Sequence, residues 1–482
     1  MQHLNDKRSG TNKSAILAII LVSYVMIVLD ISIVLTGLSR IHSELGFTDA
    51  GLSWVSTAYT LAFGGFLLIG ARAGDILGRR RMFLVGLAVF SLASLVIGLA
   101  QTPAVMIAAR GIQGLGSAIL APSTLALLQT NFEPGPDRTR AVSYYAAAAG
   151  VSAAVGLVVG GLLADWLSWR VGFFINLPIG VAMILAAKRY VTETETTPAR
   201  FDIAGAVASA VAMVSLVYGV IRSASFGWSD PLTIVSVALG AVTMVLFVFV
   251  ESRASHPIMP LKLFADRERV AAYAGRALFL GANVGFYFFV AQYLQSVAGL
   301  SPAAAGIAFL PTTVLNFVAA MFTPALIQRF GSGRVLTASI LAGLVGMGWL
   351  SAAITSSSTL GLILPMMLIG AGQGGALGPL TASGIARIPL DKAGAASGVV
   401  NVAHQLGSSL GLGILVAASV LGSDGLSGAA LLAHRAVAAM EAGTVLIALT
   451  LVLVLAFIIR RPSGPRVSVS LGAAEPADIE AH

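Results

Sequence analysis

The chain has 482 residues, of which 57% are hydrophobic and 10% are charged, and it contains no cysteine. Soluble domains carry roughly 25% charged residues. The composition therefore excludes a soluble enzyme, a disulfide scaffold, a thiolate metal site and a disordered chain, and it indicates a polytopic membrane protein.

Fourteen apolar segments follow one another along the chain, and each is long enough to cross a bilayer as a helix. The first seven predicted spans are 15–37, 52–73, 82–100, 104–128, 141–164, 171–187 and 203–221. The other seven are 231–250, 270–297, 303–327, 335–354, 360–385, 397–421 and 442–459. We therefore predict an all-α membrane protein with 14 transmembrane helices.

The formal charge of +8 is distributed unevenly over the predicted loops. When loops are assigned alternately to the two sides, 23 of the 29 basic residues lie on the side of the N-terminus and four lie on the other. The positive-inside rule then predicts that both termini are cytoplasmic. The excess of basic residues is explained by topology, so we expect no nucleic-acid partner.

Two short matches indicate that the chain contains an internal repeat. The segment 75–79 between the second and third spans recurs at 328–332, 253 residues later, and Gln113 recurs as Gln373, 260 residues later. Transporters are often built from such repeats. The predicted organisation is a cytoplasmic tail (1–14), a six-helix bundle (15–190), two linker spans (200–250), a cytoplasmic loop (251–269), a second six-helix bundle (270–460) and a cytoplasmic tail (461–482).

Three motifs support a family assignment. Residues 74–81 read Gly-Asp-Ile-Leu-Gly-Arg-Arg-Arg, residues 110–116 read Arg-Gly-Ile-Gln-Gly-Leu-Gly, and residues 174–180 read Phe-Ile-Asn-Leu-Pro-Ile-Gly after Trp169 and Arg170. They resemble the major facilitator superfamily, specifically its fourteen-span drug:proton antiporter branch, over nearly the whole chain. The resemblance implies the major facilitator fold in a 6+2+6 arrangement.

Three motifs depart from the family patterns. Ala71 and Ile76 stand where the loop signature has a glycine and an arginine. In the antiporter motif of the fifth span, Ser152 replaces a glycine and Leu157 replaces the proline. The first-span motif, residues 29–34, keeps its aspartate at Asp30, but Leu35 and Ser39 stand where the branch has Asn and Pro. The direction of export that the antiporter motif implies is therefore less strongly supported by the sequence.

Asp30 and Arg110 are the predicted proton-coupling pair. Asp30 is the sole acidic residue deep inside a predicted span, where insertion of a charge costs at least about 2.5 to 3.5 kcal/mol. At 1.5 Å per residue, Asp30 lies about 22 Å from the inner surface and Arg110 about 9 Å from the outer surface. In a hydrocarbon core about 30 Å thick, the two residues are therefore at a similar depth. We expect Arg110 to alter the proton affinity of Asp30 during transport. The alternative is a static ion pair that holds the first bundle together.

The loop signature implies an inner gate formed by Asp75, Gly78, Arg79 and Arg80. Asp75 is expected to face the positive N-terminal end of the thirteenth span. A basic cluster that only orients the chain would explain the arginines but not Asp75 or Gly78.

Three glycines of the fifth span, Gly156, Gly160 and Gly161, are predicted to form a close interface with another helix. Their small size permits a sliding contact, although static packing is the alternative.

Polar residues of the spans are the candidates for a substrate cavity. The predicted cavity residues are Gln113, Tyr287, Gln292, Asn316, Gln373, Asn401, His404 and Gln405. Asn401 and Gln405 are four residues apart and share a helix face. His404 alternatively packs as a neutral core residue, and Arg276 alternatively extends to the inner surface. No acidic residue lies in spans nine to thirteen, so neutral, weakly cationic or anionic amphiphiles are all compatible with this half.

The resemblance implies a secondary active transporter that exports amphipathic drugs or toxic metabolites in exchange for protons by alternating access, and so contributes to antibiotic resistance. No phosphate-binding loop is present, which argues against ATP hydrolysis, and no His-x-x-x-His or Cys cluster indicates a catalytic metal. We therefore expect no enzyme activity, no metal and no cofactor, and an ion gradient remains as the energy source. The expected setting is the inner membrane of a bacterium, with lipid, substrate and protons as partners and a monomeric state. The alternatives are a dedicated metabolite exporter or importer and a non-transporting membrane protein.

Overall fold

The computed structural model describes residues 2–132, 136–193, 203–253, 261–356, 359–386, 388, 393–423 and 425–459. All regular secondary structure in these ranges is helical. Eleven helices of the described residues are long and apolar enough to cross a membrane, and two shorter apolar helices are Val155–Trp166 and Val207–Ser223. The protein is therefore an all-α protein with many potential membrane spans.

Eight helices form the first bundle, which we call the N-bundle. They are α1 (Gln2–Leu45), α2 (Asp49–Leu52), α3 (Trp54–Leu77), α4 (Arg79–Gly98), α5 (Pro103–Asn131), α6 (Pro136–Trp166), α7 (Trp169–Phe174) and α8 (Asn176–Tyr190). The first helix is longer than the predicted span, since it begins at Gln2 and continues to Leu45. The predicted sixth span is divided into α7 and α8 at Ile175.

Two linker helices and a second bundle, the C-bundle, complete the fold. The linker helices are α9 (Ile203–Phe226) and α10 (Pro231–Arg253). The C-bundle contains α11 (Arg267–Ser296), α12 (Pro302–Ala308), α13 (Leu310–Phe330), α14 (Ser332–Ser356), α15 (Ile363–Gly384), α16 (Ala393–Ser419) and α17 (Gly428–Leu453). Short 3₁₀ turns cover Leu261–Ala265 and Thr359–Leu362, and α17 ends in a π-helical segment, Val454–Ile459.

The helix ends follow from local sequence. Thr102 accepts a hydrogen bond from the backbone N–H of Val105, and Pro103 occupies the first turn of α5, where a missing N–H is tolerated. Asp266 caps α11 by accepting hydrogen bonds from the N–H groups of Glu268 and Arg269. These caps satisfy backbone donors that have no partner within the helix.

The two bundles share a backbone feature at the repeated loops. Gly78 joins α3 to α4 with φ +101°, and Gly331 joins α13 to α14 with φ +86°. A positive φ in this range favours glycine because it has no Cβ. Equivalent glycines 253 residues apart in sequence therefore make equivalent turns. We call the end of the molecule at these two glycines the inner end.

The apolar cores show how the bundles meet. One core joins residues from the outer half of the N-bundle, such as Leu38 and Leu157, to C-bundle residues such as Phe286 and Phe309. On the inner half, a second core around Ile20 contains only described N-bundle residues. The bundles are therefore packed together at the outer end and have separate cores at the inner end of the N-bundle.

The linker helices lie beside the contact between α3 and α16. Leu61 and Leu406 of those helices form a small core with Val217 and Ile221 of α9, while α10 packs on α9. At the outer turn between the two linker helices, Arg222 donates hydrogen bonds to Asp230 at 2.7 and 3.3 Å. These bonds lower the pKa of Asp230, which lies in the turn, to about 2.

Candidate functional site

Asp30 on α1 and Arg110 on α5 form a buried ion pair in the N-bundle. Nη1 of Arg110 lies 2.6 Å from Oδ2 of Asp30, and each side chain is 1% exposed. The sequence predicts this proximity from the equal depth of the two residues. A buried carboxylate next to a guanidinium forms a charge-assisted hydrogen bond, which is stronger than a bond between neutral groups.

Neutral side chains complete the hydrogen bonding of Asp30. Oδ1 accepts from the amide of Gln113 at 2.8 Å and from the amide of Asn176, at the start of α8, at 3.0 Å. Both amides also contact the hydroxyl of Ser94 on α4, at 2.8 and 3.3 Å. The carboxylate therefore connects α1 to residues of α4, α5 and α8.

Arg110 has further partners besides Asp30. Its Nε donates to the carbonyl of Val55 at 2.8 Å, and its Nη1 also donates to the side-chain oxygen of Gln113. The guanidinium lies over the ring of Tyr59, 4.4 Å from the ring centroid. The protein therefore surrounds this charge with a carboxylate, a carbonyl, an amide oxygen and an aromatic ring.

Gln113 differs from its predicted place at the substrate cavity. It is 0% exposed and bonds to Asp30, Arg110 and Ser94. A glutamine provides both an acceptor and a donor, so it can bridge a guanidinium and a carboxylate. In this conformation Gln113 is part of the ion-pair network and does not line a cavity.

The turn between α3 and α4 contains three of the predicted inner-gate residues, Gly78, Arg79 and Arg80, and it is contacted by a residue that the sequence does not identify. Both oxygens of Glu193, which follows α8, accept hydrogen bonds at 3.0 Å, one from the backbone N–H of Arg80 and one from that of Arg81. A Cβ on Gly78 would lie 2.6 Å from the carboxylate carbon of Glu193. The absence of a side chain at Gly78 therefore allows Glu193 to cap α4.

The arginine side chains of this turn bond to neighbouring helices. Arg79 donates to the carbonyl of Ala126 on α5 at 3.4 Å, and Arg80 donates to the carbonyl of Lys188 on α8 at 2.7 Å. The side chain of Asp75 lies outside the residues whose side chains are described. Its expected contact with the start of α16 stays a prediction.

The predicted glycine interface has two different partners. Cβ atoms on Gly156 and Gly160 would lie 2.7 Å from Ser32 Cβ and 2.6 Å from Ile33 Cα, so these glycines permit close packing on α1. A Cβ on Gly161 would lie 2.5 Å from the carbonyl oxygen of Pro302, at the start of α12. Gly161 thus allows the N-bundle and the C-bundle to approach at the outer end.

Three of the predicted cavity residues are brought together in the C-bundle. The side-chain oxygen of Gln373 accepts from the amide of Asn316 at 2.9 Å and from the hydroxyl of Tyr287 at 3.4 Å. All three side chains are half-buried. Gln373 and its repeat partner Gln113 therefore both lie in polar clusters, but only the cluster of Gln113 contains an ion pair.

The remaining cavity candidates are separated from that cluster. Asn401 is exposed on α16, and His404 contacts Arg276 at 3.1 Å. Gln405 packs against Gly64 of α3, at the contact between the bundles. Gln292 lies in another pocket near the outer end, which is also lined by Phe288 and Arg435. The predicted single cavity is thus divided among several places in this conformation.

No group of three or more potential metal ligands occurs among the residues that the structure describes.

A match to the Major Facilitator Superfamily covers residues 20–412, which is most of the chain. The chain belongs to the Major Facilitator Superfamily.

Curated members of the superfamily align with the chain over most of their length. It is 38% identical to the cephamycin export protein CmcT of Amycolatopsis lactamdurans, over 87% of this chain and 88% of that protein. It is 36% identical to the puromycin resistance protein pur8 of Streptomyces alboniger, over 83% and 80% of the two chains. The multidrug resistance protein Stp of Mycobacterium tuberculosis (strain CDC 1551 / Oshkosh) is 34% identical, over 81% and 73%.

Solved structures support the fold. The nucleoside transporter NupG aligns with a TM-score of 0.64 at 14% identity, over 92% of this chain and 99% of that one. An auto-inhibited POT family peptide transporter aligns with a TM-score of 0.68 at 14% identity, over 94% and 98%. The chain is a multi-pass membrane transporter of the Major Facilitator Superfamily, and its relatives place it in the inner membrane of a bacterium.

Proposed function

We propose that the chain exports amphipathic small molecules across the inner membrane in exchange for protons. The buried Asp30–Arg110 pair is the observation that carries the coupling, because a carboxylate inside a membrane bundle can bind and release a proton. The names of its relatives, among them an export protein for cephamycin and resistance proteins for puromycin and tetracenomycin C, support the direction and the drug-like substrates.

The proposed coupling follows from the contacts of Asp30. A protonated carboxyl group is neutral and has fewer free acceptor sites, so it cannot keep the ion pair and accept two amides as well. Protonation therefore weakens contacts between α1 and the helices that carry Arg110, Gln113 and Asn176. Movement of these helices relative to one another would then couple the proton to alternating access.

The proposed topology has 14 spans in a 6+2+6 arrangement with both termini in the cytoplasm. The inner end is then the cytoplasmic end, and the structure is closed toward the outside. The proton gradient supplies the energy, so no cofactor and no catalytic group are needed. We propose a monomer as the functional unit, with lipid, substrate and protons as its partners.

The experiment measures substrate-dependent proton movement in proteoliposomes with an imposed pH gradient. Puromycin and cephamycin are the probes, and the wild type is compared with Asp30→Asn. We expect the wild type to accumulate the probe against its gradient and to release protons, and we expect Asp30→Asn to lose both while still inserting into liposomes. Full pH-driven transport by Asp30→Asn would overturn the coupling role of this residue.

A dedicated transporter of one metabolite is a second candidate, and the altered antiporter motif of α6 favours it. Leu157 replaces the motif proline, and the hydroxyl of Ser152 bonds to the carbonyl of Ala148 in its own helix. Counter-flow with a chemically diverse panel separates the two candidates, because a dedicated transporter exchanges one compound class only. Reversal of the direction under the same gradient would identify an importer.

A further inference from the structure

Arg276 is a buried arginine of the C-bundle whose partners are all neutral. Its side chain is 8% exposed. Nη1 donates to the hydroxyl of Thr381 at 2.7 Å and to the carbonyl of Leu377 at 3.3 Å, both on α15, and Nη2 contacts Nδ1 of His404 on α16 at 3.1 Å. Arg276 therefore does not extend to the inner surface, and it connects three helices.

Among the residues that the structure describes, no acidic side chain contacts Arg276, and the acidic residue nearest to it along the chain is Glu268, eight residues earlier. The sequence has no Asp or Glu from 270 to 390 or from 392 to 423, which includes nearly all of α11 and every residue of α12 to α15. Nε of Arg276 is buried without a hydrogen-bond partner in the described structure. Arg110 in the N-bundle differs, since its Nη1 pairs with Asp30 and its Nε with Val55.

The orientation of His404 adds a second donor to this cluster. A guanidinium can only donate hydrogen bonds, so Nδ1 of His404 must accept from Arg276 and the proton of the neutral ring lies on Nε2. The described residues provide no partner for Nε2 of this half-buried side chain. The cluster therefore has unused donors, Nε and Nε2, and its positive charge is uncompensated.

We propose that Arg276 and His404 bind the carboxylate of an anionic amphiphilic substrate. This inference rests on the proposed export function and names the substrate class of the C-bundle. A carboxylate supplies the missing negative charge, and its two oxygens match the planar donor fork of a guanidinium. The residue after His404, Gln405, packs on Gly64 of α3, so a ligand here lies beside the contact along which the bundles separate.

A purely structural role for Arg276 makes a different prediction. If the arginine only joins α11, α15 and α16, its removal weakens the bundle and reduces the binding of charged and neutral ligands alike. A recognition role reduces the binding of anionic ligands alone. A pair of ligands that differ only in the carboxylate therefore separates the two roles.

The experiment measures equilibrium binding of dansyl-phenylalanine and of its uncharged amide to the full-length protein in phosphatidylcholine nanodiscs at pH 7.4. We expect the wild type to bind the acid at least about tenfold more tightly than the amide, a factor equivalent to about 1.4 kcal/mol. In Arg276→Gln this preference falls to less than about twofold while the affinity for the amide is unchanged. Arg276→Lys keeps the charge but loses the fork, so it retains part of the preference.

Arg329→Gln is the matched control, because it removes an exposed arginine at the end of α13. Equal affinity of the wild type for acid and amide, or an equal loss in Arg329→Gln, would overturn the proposal. An equal loss of affinity for the acid and the amide in Arg276→Gln would also overturn the proposal, and it would indicate a purely structural role for the arginine. If Arg276→Gln does not fold, Arg276→Lys provides the test instead. A wild-type preference for the acid over the amide in Arg276→Lys would overturn the proposal.

A lipid headgroup is another source of an anionic group. Displacement of the acid in phosphatidylglycerol nanodiscs, seen with both the wild type and Arg329→Gln but not for the amide, would assign the site to lipid and overturn the proposal. This experiment measures binding at equilibrium, so a missing preference for the acid can be distinguished from a failure of pH-driven export. A protein that exports puromycin but shows no acid preference keeps its proposed function and loses this site.

Discussion

A single carboxylate controls contacts among several helices of the N-bundle. Oδ1 of Asp30 accepts from Gln113 and Asn176, and Oδ2 accepts from Arg110. Hydrogen bonds to a charged group contribute about 1.5 to 3 kcal/mol each, so the loss of one donor should have a measurable effect. Asn176 is the most informative of these donors because it carries no charge and comes from a third helix.

We therefore expect Asn176→Leu to slow pH-driven export by roughly tenfold, which corresponds to about 1.4 kcal/mol. The variant keeps the Asp30–Arg110 pair and a similar side-chain volume but removes an amide donor. The measurement is the initial export rate in proteoliposomes. Asn131→Leu is the control, since the amide of Asn131 bonds to Leu127 of its own helix and to the adjacent Thr130. Equal slowing in both variants would contradict a specific role for Asn176.

Charge made part of this site predictable from the sequence. An acid and an arginine at the same depth of two apolar segments have few other partners, so Asp30 and Arg110 could be paired. Neutral polar residues could not be assigned in this way, because an asparagine in a helix can bond to its own backbone, as Asn283 does to Phe279. The cap of α4 by Glu193 was also unpredictable, since it depends on where a distant loop lies.

Close approach of α3 and α16 depends on one glycine of an adjacent pair. A Cβ on Gly64 would overlap with Cβ of Gln405, whereas a Cβ on Gly65 would meet nothing within 4 Å. These neighbours on one helix thus face different surroundings. Changing either glycine to alanine adds the same methyl group and changes helix propensity by the same amount, so the two variants differ only in what the methyl group meets.

We expect Gly64→Ala to separate α3 from α16 and to reduce export at least about fivefold, because a methyl group must be accommodated at a packed contact between the bundles. Gly65→Ala should retain wild-type export. Both are measured as initial rates at equal protein density in liposomes. Similar rates for the two variants would show that this contact does not limit transport.

The turn between the linker helices provides a pH test. The lowered pKa of Asp230 means that its ion pair with Arg222 contributes fully above the ordinary pKa of about 3.8 and is lost only as the pH falls through about 2. Asp230→Asn should therefore lower the melting temperature slightly and equally between pH 5 and 8. The pH profile of export should be unchanged, since Asp230 stays ionised throughout this range. A shifted export profile would assign a coupling role to the linker.

The organisation of the elements was more predictable than their packing. The repeat of 253 residues was visible in two short loops, and Gly78 and Gly331 make the same kind of turn in the structure. Helix length was predicted less well at the chain ends: α1 and α17 continue beyond the apolar segments, to Leu45 and back to Gly428, because helical hydrogen bonding does not stop where hydropathy falls. Which face of each helix meets the other bundle depends on tertiary contacts that no local pattern reports.

At the scale of the whole molecule, the structure corresponds to the state that is closed at the outer end in the proposed cycle of alternating access. The outer halves of the bundles share an apolar core, and the hydroxyls of Thr60 on α3 and Ser409 on α16 lie 2.6 Å apart across the contact. The proposed cycle requires these helices to separate so that the cavity can open at the outer end. A covalent link at this point should therefore stop the cycle.

We expect the double variant Thr60→Cys/Ser409→Cys to form a disulfide under mild oxidation and to lose export by at least about tenfold, with recovery after reduction. The natural chain has no cysteine, so no native cysteine has to be replaced first and no other disulfide can form within the chain. Export is measured in proteoliposomes before and after treatment with a reducing agent, and each single-cysteine variant serves as the control. Because binding from the inner side needs no separation of α3 from α16, the oxidised protein should still bind puromycin. Undiminished export by the fully oxidised double variant would show that the two bundles do not open at this contact.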